Sequence, residues 1–518
     1  MRIVTRFNSI FCKKIVVFFA VFFIVGALFV FAVNAYPVSG GDSVLYIPAA
    51  INLRLDNGFV NQLSPAFLSG DPTGEGKFLS LPPLWPIALS WLMPTGTPQA
   101  AYIAMFIMNA VTILLASFVY AKILIPEWQK ASWYRIAIYA FSLFSLAAIT
   151  IFYPGRPETL TRLLIVLSLI GFISPYKKWL WAVLGIALGL NIATSPGPAI
   201  LFGPLIGIFF AFHYPAKKAL WMTFLTYTTS IAVAVGIVEI FSYGMGQVLQ
   251  GLYRHFFIVQ SGNLGDHFQE VKVTLVPIFN KEFAKGLFTI LTTSGSAAFA
   301  GSVFSLSFAY AIALYRRWKE KIAARAPLYF FAAMMACALF LFLFLRPVTY
   351  YILALVPLCI IVVGYYATSI ARSKMLKTAS LVILMLSSIT FFHRLVLFPM
   401  FLTSGVSLSE AREKFEKLSL RPDEQIGVDG TIWPVSEKYD QMYLWGSEED
   451  VMYPKTAIIM REGLNGWTEL PEEWSYCKKI KDFSTHKKPV LFGITLAHAI
   501  PGYAFNVYDC SAGKEKNG

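Results

Sequence analysis

Residues 15–33 read IVVFFAVFFIVGALFVFAV, an uncharged run in a chain whose fold it decides. At ~1.5 Å of helical rise per residue, such a stretch crosses the ~30 Å hydrocarbon core of a bilayer. No small-residue cleavage site follows, so it is expected to be a retained anchor and not a removable signal peptide. The rest of the chain agrees. It is 57% hydrophobic, 16% aromatic and only 14% charged over 518 residues, and its mean hydropathy is +0.61. A soluble chain has no use for that much apolar surface, which places this one among polytopic membrane proteins.

Eleven apolar spans are predicted, near 15–35, 100–121, 136–153, 160–174, 179–195, 198–213, 220–242, 286–314, 327–345, 348–370 and 378–398. The net charge of +14 is uneven: residues 1–400 carry +18 and residues 401–518 carry −4. The basic excess is not a nucleic-acid signal, because it sits in short loops between spans. Segments 2–14, 122–135, 174–178, 213–220, 315–325 and 371–377 hold 19 Lys/Arg against two acids, Glu127 and Glu320. The opposite loops hold ten Lys/Arg and nine acids. The positive-inside rule then puts the N-terminus in the cytoplasm and the C-terminus outside.

The expected architecture is an all-α polytopic membrane domain over 1–400 and a small extracytoplasmic domain over 401–518. The first outer loop, 36–99, is large. Turn signals such as "RPDEQ", "VDGT" and "LPEEW" separate short apolar stretches in the tail, which predicts an α/β or mostly β fold. Of five cysteines, Cys12, Cys337 and Cys359 lie in or beside apolar segments and read as packing residues. Cys477 and Cys510 lie in the polar tail and could pair if it faces an oxidising compartment. There is no nucleotide-binding glycine loop, no HExxH and no metal-spaced Cys/His set. The absence of a cytoplasmic domain larger than a loop argues against an ATP- or nucleotide-sugar-driven enzyme.

The polar groups gather on the outer side. "VSGGDSVLYIPAA" (38–50) puts Asp42 just after the first span. Its ordinary role would be to cap a short amphipathic helix lying on the membrane. A second role is general base, activating an alcohol beside the lipid. "GKFLSLPPLWPIALSWLM" (76–93) stiffens the return to the membrane with Pro82 and Pro83. "FYPGRPETLTRLL" (152–164) sets Arg156, Glu158 and Arg162 at a tight turn, where an interfacial ion pair is the plain reading. A second carboxylate on the face of Asp42 could instead bind a hydroxylated acceptor or a cation. "LFLRPVTYYILALVPL" (343–358) ends one span with Arg346 and begins the next with Tyr350 and Tyr351. A snorkelling arginine in an aromatic belt is the commoner arrangement. Arginine also makes bidentate, charge-assisted bonds to phosphate.

Taken in order, these stretches resemble one superfamily. From residue 1 to about 400 the chain is similar to the polytopic GT-C glycosyltransferases. It lies nearest the branch of dolichyl-phosphate-mannose protein mannosyltransferases and bacterial lipid A aminoarabinose transferases. The family's Gly-Asp-Glu is met by Gly41-Asp42-Ser43, which keeps the first acid and loses its neighbour. Its Lys-Pro-Pro-Leu reads Leu81-Pro82-Pro83-Leu84, with the nearest lysine at Lys77. Its later acid corresponds to Glu158, and its basic residue before Tyr-Ile-Leu corresponds to Arg346.

The resemblance implies a hexosyl- or pentosyltransferase that takes sugar from a polyprenyl-phosphate donor. Asp42 would be the base, and inversion at the sugar would be expected. Arg346, with Tyr350 and Lys77, would hold the donor phosphate. Glu158 and Arg156 would shape the acceptor pocket. The acceptor would be a cell-envelope glycan such as lipopolysaccharide, a lipid or a protein, in a bacterial inner membrane. No cofactor is implied, and a divalent metal is left open. A lipid-linked-sugar flippase should show inverted repeats and midplane charges. An O-antigen polymerase or ligase would share substrate and compartment without the acid after the first span.

Overall fold

The computed structural model describes residues 2–34, 42–61, 77–79, 82–152, 155–173, 179–253, 406–418, 425–428, 433–438, 440–443, 457–461, 476–483, 490–491, 494–495, 503 and 505–510, with scattered helical positions from 327 to 388. It is mostly helical, with a small sheet near the C-terminus. The helices are α1 (Arg2–Val33), α2 (Asp42–Arg54), α3 (Leu84–Leu92), α4 (Pro98–Leu124), α5 (Trp133–Phe152), α6 (Glu158–Ile173), α7 (Leu180–Thr194), α8 (Pro196–His213), α9 (Ala216–Phe241), α10 (Met245–Tyr253) and α11 (Leu408–Glu416). The first seven predicted spans coincide with α1 and α4–α9. The last four fall wholly or largely outside the described residues.

Among the described residues, four helices are long and apolar enough to cross a membrane: Lys14–Val33, Pro98–Leu124, Pro196–His213 and Ala216–Phe241. Their outward faces need lipid. Phe18, Phe19 and Phe22 on α1 and Trp221, Phe224 and Ile231 on α9 are all exposed, large apolar faces that water would not tolerate. This is an integral membrane protein. Local signals set the helix ends. Thr97 caps α4 by accepting from the Ala100 amide, and Pro98 takes the first turn, where no amide donor is needed.

α6 is the central helix. Leu160 and Leu164 pack with α2, α3 and α4. Val166 and Leu169 join the cluster of α1, α4 and α5, and Ile165 joins that of α7, α8 and α9. A helix enclosed on three sides holds its side chains in fixed places, and α6 begins at Glu158.

α7 and α9 meet through glycines spaced four apart, Gly185 and Gly189. A Cβ on Gly189 would lie 2.5 Å from the Ser230 carbonyl oxygen and 2.8 Å from Val233 Cβ. Without a hydrophobic drive between helices in lipid, such close backbone approach is a main source of association. Gly189→Ala should therefore destabilise the protein by roughly 1–3 kcal/mol through overpacking. Gly236→Ala on α9, where a Cβ meets nothing within 4 Å, should be neutral or stabilising by up to ~1 kcal/mol. Thermal unfolding of both variants in detergent separates them; equal midpoints would contradict the close-packing account.

In the tail, α11 is capped by Ser407, which accepts from the Glu410 amide. Its apolar face, Leu408, Ala411 and Phe415, is buried, and Glu410–Lys414 and Glu413–Lys417 pair along the other face at 2.7 and 2.8 Å. The strands are β1 (Gln425–Val428), β2 (Asp440–Tyr443), β3 (Ala457–Arg461), β4 (Lys478–Asp482), β5 (Val490–Leu491), β6 (Ile494–Thr495) and β7 (Phe505–Asp509). Five of them form a mixed sheet in the order β2-β1-β3-β7-β4, parallel from β2 through β3 and antiparallel thereafter. β5 and β6 form a separate hairpin. Phe505 and Val507 alternate into the core, whereas all five residues of the lysine-rich edge strand β4 are exposed. Charge on an edge strand discourages unwanted pairing.

A disulfide joins Cys477 to Cys510, at adjacent ends of β4 and β7, with Cα atoms 4.2 Å apart. It closes a loop spanning 33 residues, and removing it should cost about 2–4 kcal/mol of tail stability. Limited proteolysis of a Cys477→Ser, Cys510→Ser chain should show faster cleavage after residue 400; an unchanged rate would contradict this.

The tail and the helices share one apolar core. Val406, Phe415, Trp433 and Tyr503 belong to the same buried cluster as Tyr46, Trp85 and Met105. The Leu408 amide donates to the Asn34 carbonyl (3.2 Å), and the Tyr503 hydroxyl lies 3.5 Å from that of Tyr102. The sheet thus sits at the bundle end where α1 stops and α4 and α6 start.

Candidate functional site

At this sheet end, α2 packs against α3 and α4. Asp42 is its first residue; the Asp42 side chain lies outside the described residues. The sequence suggested an amphipathic surface helix, but residues 45–50 are all buried. The reason is visible in "LYIPAA", which is apolar all round, and a helix of that kind belongs inside. Asn61, fully buried, fastens α2 by donating to the Leu45 carbonyl at 2.8 Å.

Pro82 and Pro83 are buried and lead directly into α3. Two residues further, the fully buried Trp85 donates its indole N–H to the Gly155 carbonyl at 3.1 Å. That bond crosses 70 residues of sequence and ties the first loop to the turn carrying Arg156. Lys77 bridges to Val60 in a short antiparallel contact, with its Nζ 5.9 Å above the Tyr243 ring. The Tyr243 hydroxyl, just past α9, donates to the Phe59 carbonyl at 2.9 Å. Tyr243 therefore holds both edges of the loop that bears Lys77.

Arg156, Glu158 and Arg162 form a buried ionic cluster, exposed by 9%, 3% and 1%. Arg156 Nε donates to Glu158 Oε2 at 3.0 Å. Ser195 Oγ, at the start of α8, donates to Glu158 Oε1 at 3.3 Å. The carboxylate thus sits at the N-terminal end of α6 and against that of α8, where helix dipoles favour negative charge. Arg162, one turn on, donates from Nη2 to Thr159 Oγ1 at 2.9 Å. Its Nε and the hydroxyl of buried Thr161 have no hydrogen-bond partner among the described residues. Glu239 caps the turn into α10 by accepting from the Met245 amide at 2.8 Å.

The arrangement brings together the helix of Asp42, the Pro82–Pro83 entry, Arg156 and Glu158. Lys77 lies on the loop fastened by Tyr243. Arg346 and Tyr350 lie outside the described residues. Trp85, Ser195 and Tyr243 carried no signal in the sequence, since each acts through a bond to a distant segment. Among the described residues, no group of three His, Cys, Asp or Glu is gathered to hold a metal.

No protein-family model matches the chain, and no curated protein matches it. A solved structure similar to it is the Archaeoglobus fulgidus oligosaccharyltransferase in the apo form, at 11% identity and a TM-score of 0.45, covering 87% of this chain and 69% of that one. A likeness at that level leaves the function to be argued from the chain's own site.

Proposed function

We propose that this protein is a membrane glycosyltransferase of the GT-C kind, moving a sugar from a polyprenyl-phosphate donor to a cell-envelope glycan or lipid at the outer face. What supports the reading is one juxtaposition: the helix of Asp42, the Pro-Pro-Leu entry and the helix of Glu158 share a buried cluster, locked by the Trp85–Gly155 bond. These stretches carry the family resemblance, and they are far apart in sequence.

In the proposed reaction, Asp42 takes the proton of an acceptor hydroxyl as its oxygen attacks the anomeric carbon. The bond from that carbon to the phosphate oxygen breaks, and the lipid phosphate leaves with the electron pair. A single displacement inverts the configuration. Arg346 stabilises the departing phosphate, and stabilising developing charge is usually the largest single contribution to such catalysis. Tyr350 lies beside Arg346 on this reading, and Lys77 adds positive charge from the first loop. Arg156 and Glu158 form the rigid wall of the acceptor pocket. The N-terminus faces the cytoplasm, residues 1–400 form the transferase domain, and the extracytoplasmic tail, 401–518, selects the acceptor.

Mass spectrometry of envelope glycans from cells with and without the gene tests this directly. A glycan lacking one sugar residue in the deletion strain is expected. Identical glycans with an altered pool of lipid-linked sugar on one leaflet would favour a flippase.

A further inference from the structure

The turn between α9 and α10 presents Tyr243 to the first outer loop. Gly244, at φ 86°, lets the chain reverse there, and Glu239 fixes the turn by accepting from the Met245 amide. Tyr243, held in this way, packs against the buried cluster that contains α2. Its hydroxyl donates to the Phe59 carbonyl at 2.9 Å, and its ring centre lies 5.9 Å from Lys77 Nζ.

These two contacts fall on opposite edges of one short bridge. The Phe59 carbonyl also accepts from the Phe78 amide at 3.1 Å, so both of its lone pairs are used, and Val60 pairs with Lys77. The bridge is tied in turn to the helix of Asp42. Asn52 on α2 donates to the Val60 carbonyl at 3.0 Å, and Asn61 donates to the Leu45 carbonyl at 2.8 Å. The Phe78 ring lies 4.8 Å from that of Phe59 and 5.9 Å from that of Tyr46 on α2. The backbone of Lys77 is thereby fixed relative to α2. Its ammonium is not fixed by these bonds, because it rides on a flexible four-carbon stem. A cation within about 6 Å of a tyrosine ring is drawn to its face, and this ring is anchored to the bridge by its own hydroxyl.

We infer that Tyr243 is a positioning residue: it holds the Lys77 ammonium in one place on the bridge and so sets where the first loop presents its positive charge. That this charge serves the donor in sugar transfer rests on the transferase reading; the placement of Lys77 by Tyr243 does not.

The test uses the full chain in lipid nanodiscs and has two readouts. The first is the rate at which an amine-acylating ester labels Lys77, scored by peptide mass spectrometry against Lys217 near the start of α9. The amine must leave the ring to react. Tyr243→Leu, which removes both ring and hydroxyl, should speed labelling of Lys77 by roughly 3–10-fold. Tyr243→Phe keeps the ring and should speed it less. The second readout is kcat/KM for a polyprenyl-phosphate sugar, in single variants and in combination with Lys77→Met. Tyr243→Leu alone should lower it by roughly 3–10-fold. In the Lys77→Met background it should lower it by less than about twofold, because a residue that acts through Lys77 has nothing left to place.

Unchanged labelling of Lys77 in both Tyr243 variants would overturn the inference. So would losses of transfer that multiply in full in the double variant, the signature of a general packing role. If Tyr243→Leu does not fold, Tyr243→Phe decides on the same two readouts. Faster labelling of Lys77 in a chain that transfers no sugar from this donor would sink the transferase reading and leave the placement of Lys77 standing.

Discussion

Asp42→Asn is expected to lower sugar transfer by roughly 10²–10⁴-fold, the contribution of a lost general base, while leaving the chain folded. Two properties of this position separate chemistry from stability. Asp42 is the first residue of α2, one past the cap position, and asparagine in a first turn gives up at most ~1 kcal/mol of helix-dipole interaction. The substitution also keeps the size of the side chain, so α2 retains its packing on α3 and α4. What asparagine lacks is a carboxylate that can take the acceptor's proton.

Two controls in the same loop account for generic loss of negative charge. Asp56 sits in a turn at φ 58°, a conformation asparagine also tolerates, so Asp56→Asn should be silent. Asp71→Asn, outside the described residues, should be silent too. Initial rates of transfer at equal levels of folded protein check all three. Near-normal transfer by Asp42→Asn would reduce Asp42 to a first-turn residue of α2.

Arg346→Ala should weaken donor use by ~2–5 kcal/mol, as when one partner of a desolvated charge-assisted pair is removed. In rate terms that is about 30-fold to several thousand-fold. Arg394→Ala, outside any stretch that carries the resemblance and outside the described residues, should cost about 0–1 kcal/mol, the expectation for a snorkelling arginine. Arg346→Lys should restore part of the activity, because a point charge loses the two-pronged contact. The effect should appear with the lipid-phosphate donor, read as kcat/KM over a donor titration. Equal and mild effects at both arginines would make Arg346 an ordinary snorkelling residue.

The sequence was legible where hydrophobicity acts locally. An uncharged run such as 15–33 has one stable home, and the ends of α4 follow from Thr97 and Pro98 acting within a single turn. In the tail, the apolar "TAIIM" contains most of β3, and "VLFGITLA" folds back into the β5–β6 hairpin. The ionic turn was half legible. Arg156 and Glu158 are two apart, a spacing that does not pair within a helix, and they meet because Arg156 precedes α6. Glu158 and Arg162 have helical spacing, yet the hydrogen bonds of the carboxylate come from Arg156 before the helix and from Ser195 at the start of α8.

The bonds that assemble the site were not legible. Trp85 to Gly155, Tyr243 to Phe59 and Ser195 to Glu158 span 70, 184 and 37 residues. No periodicity encodes such distances, because a hydrogen bond across a fold depends on where the chain returns and not on its local pattern. The burial of α2 was missed for a related reason. The acid that opens it, read as the cap of an amphipathic segment, suggested a surface helix, whereas its covering surfaces come from α3, α4 and the cluster shared with the tail.

The proposed donor is a lipid-phosphate sugar. Its most direct test is transfer by the purified full chain, in nanodiscs, of radiolabelled sugar from a polyprenyl-phosphate sugar into extracted envelope acceptor, beside the same sugar supplied as a nucleotide. The proposal predicts label in the acceptor from the lipid-linked donor alone, with loss of that label in Asp42→Asn. Transfer from the nucleotide sugar, or lipid-linked sugar that crosses the bilayer without reaching an acceptor, would contradict it.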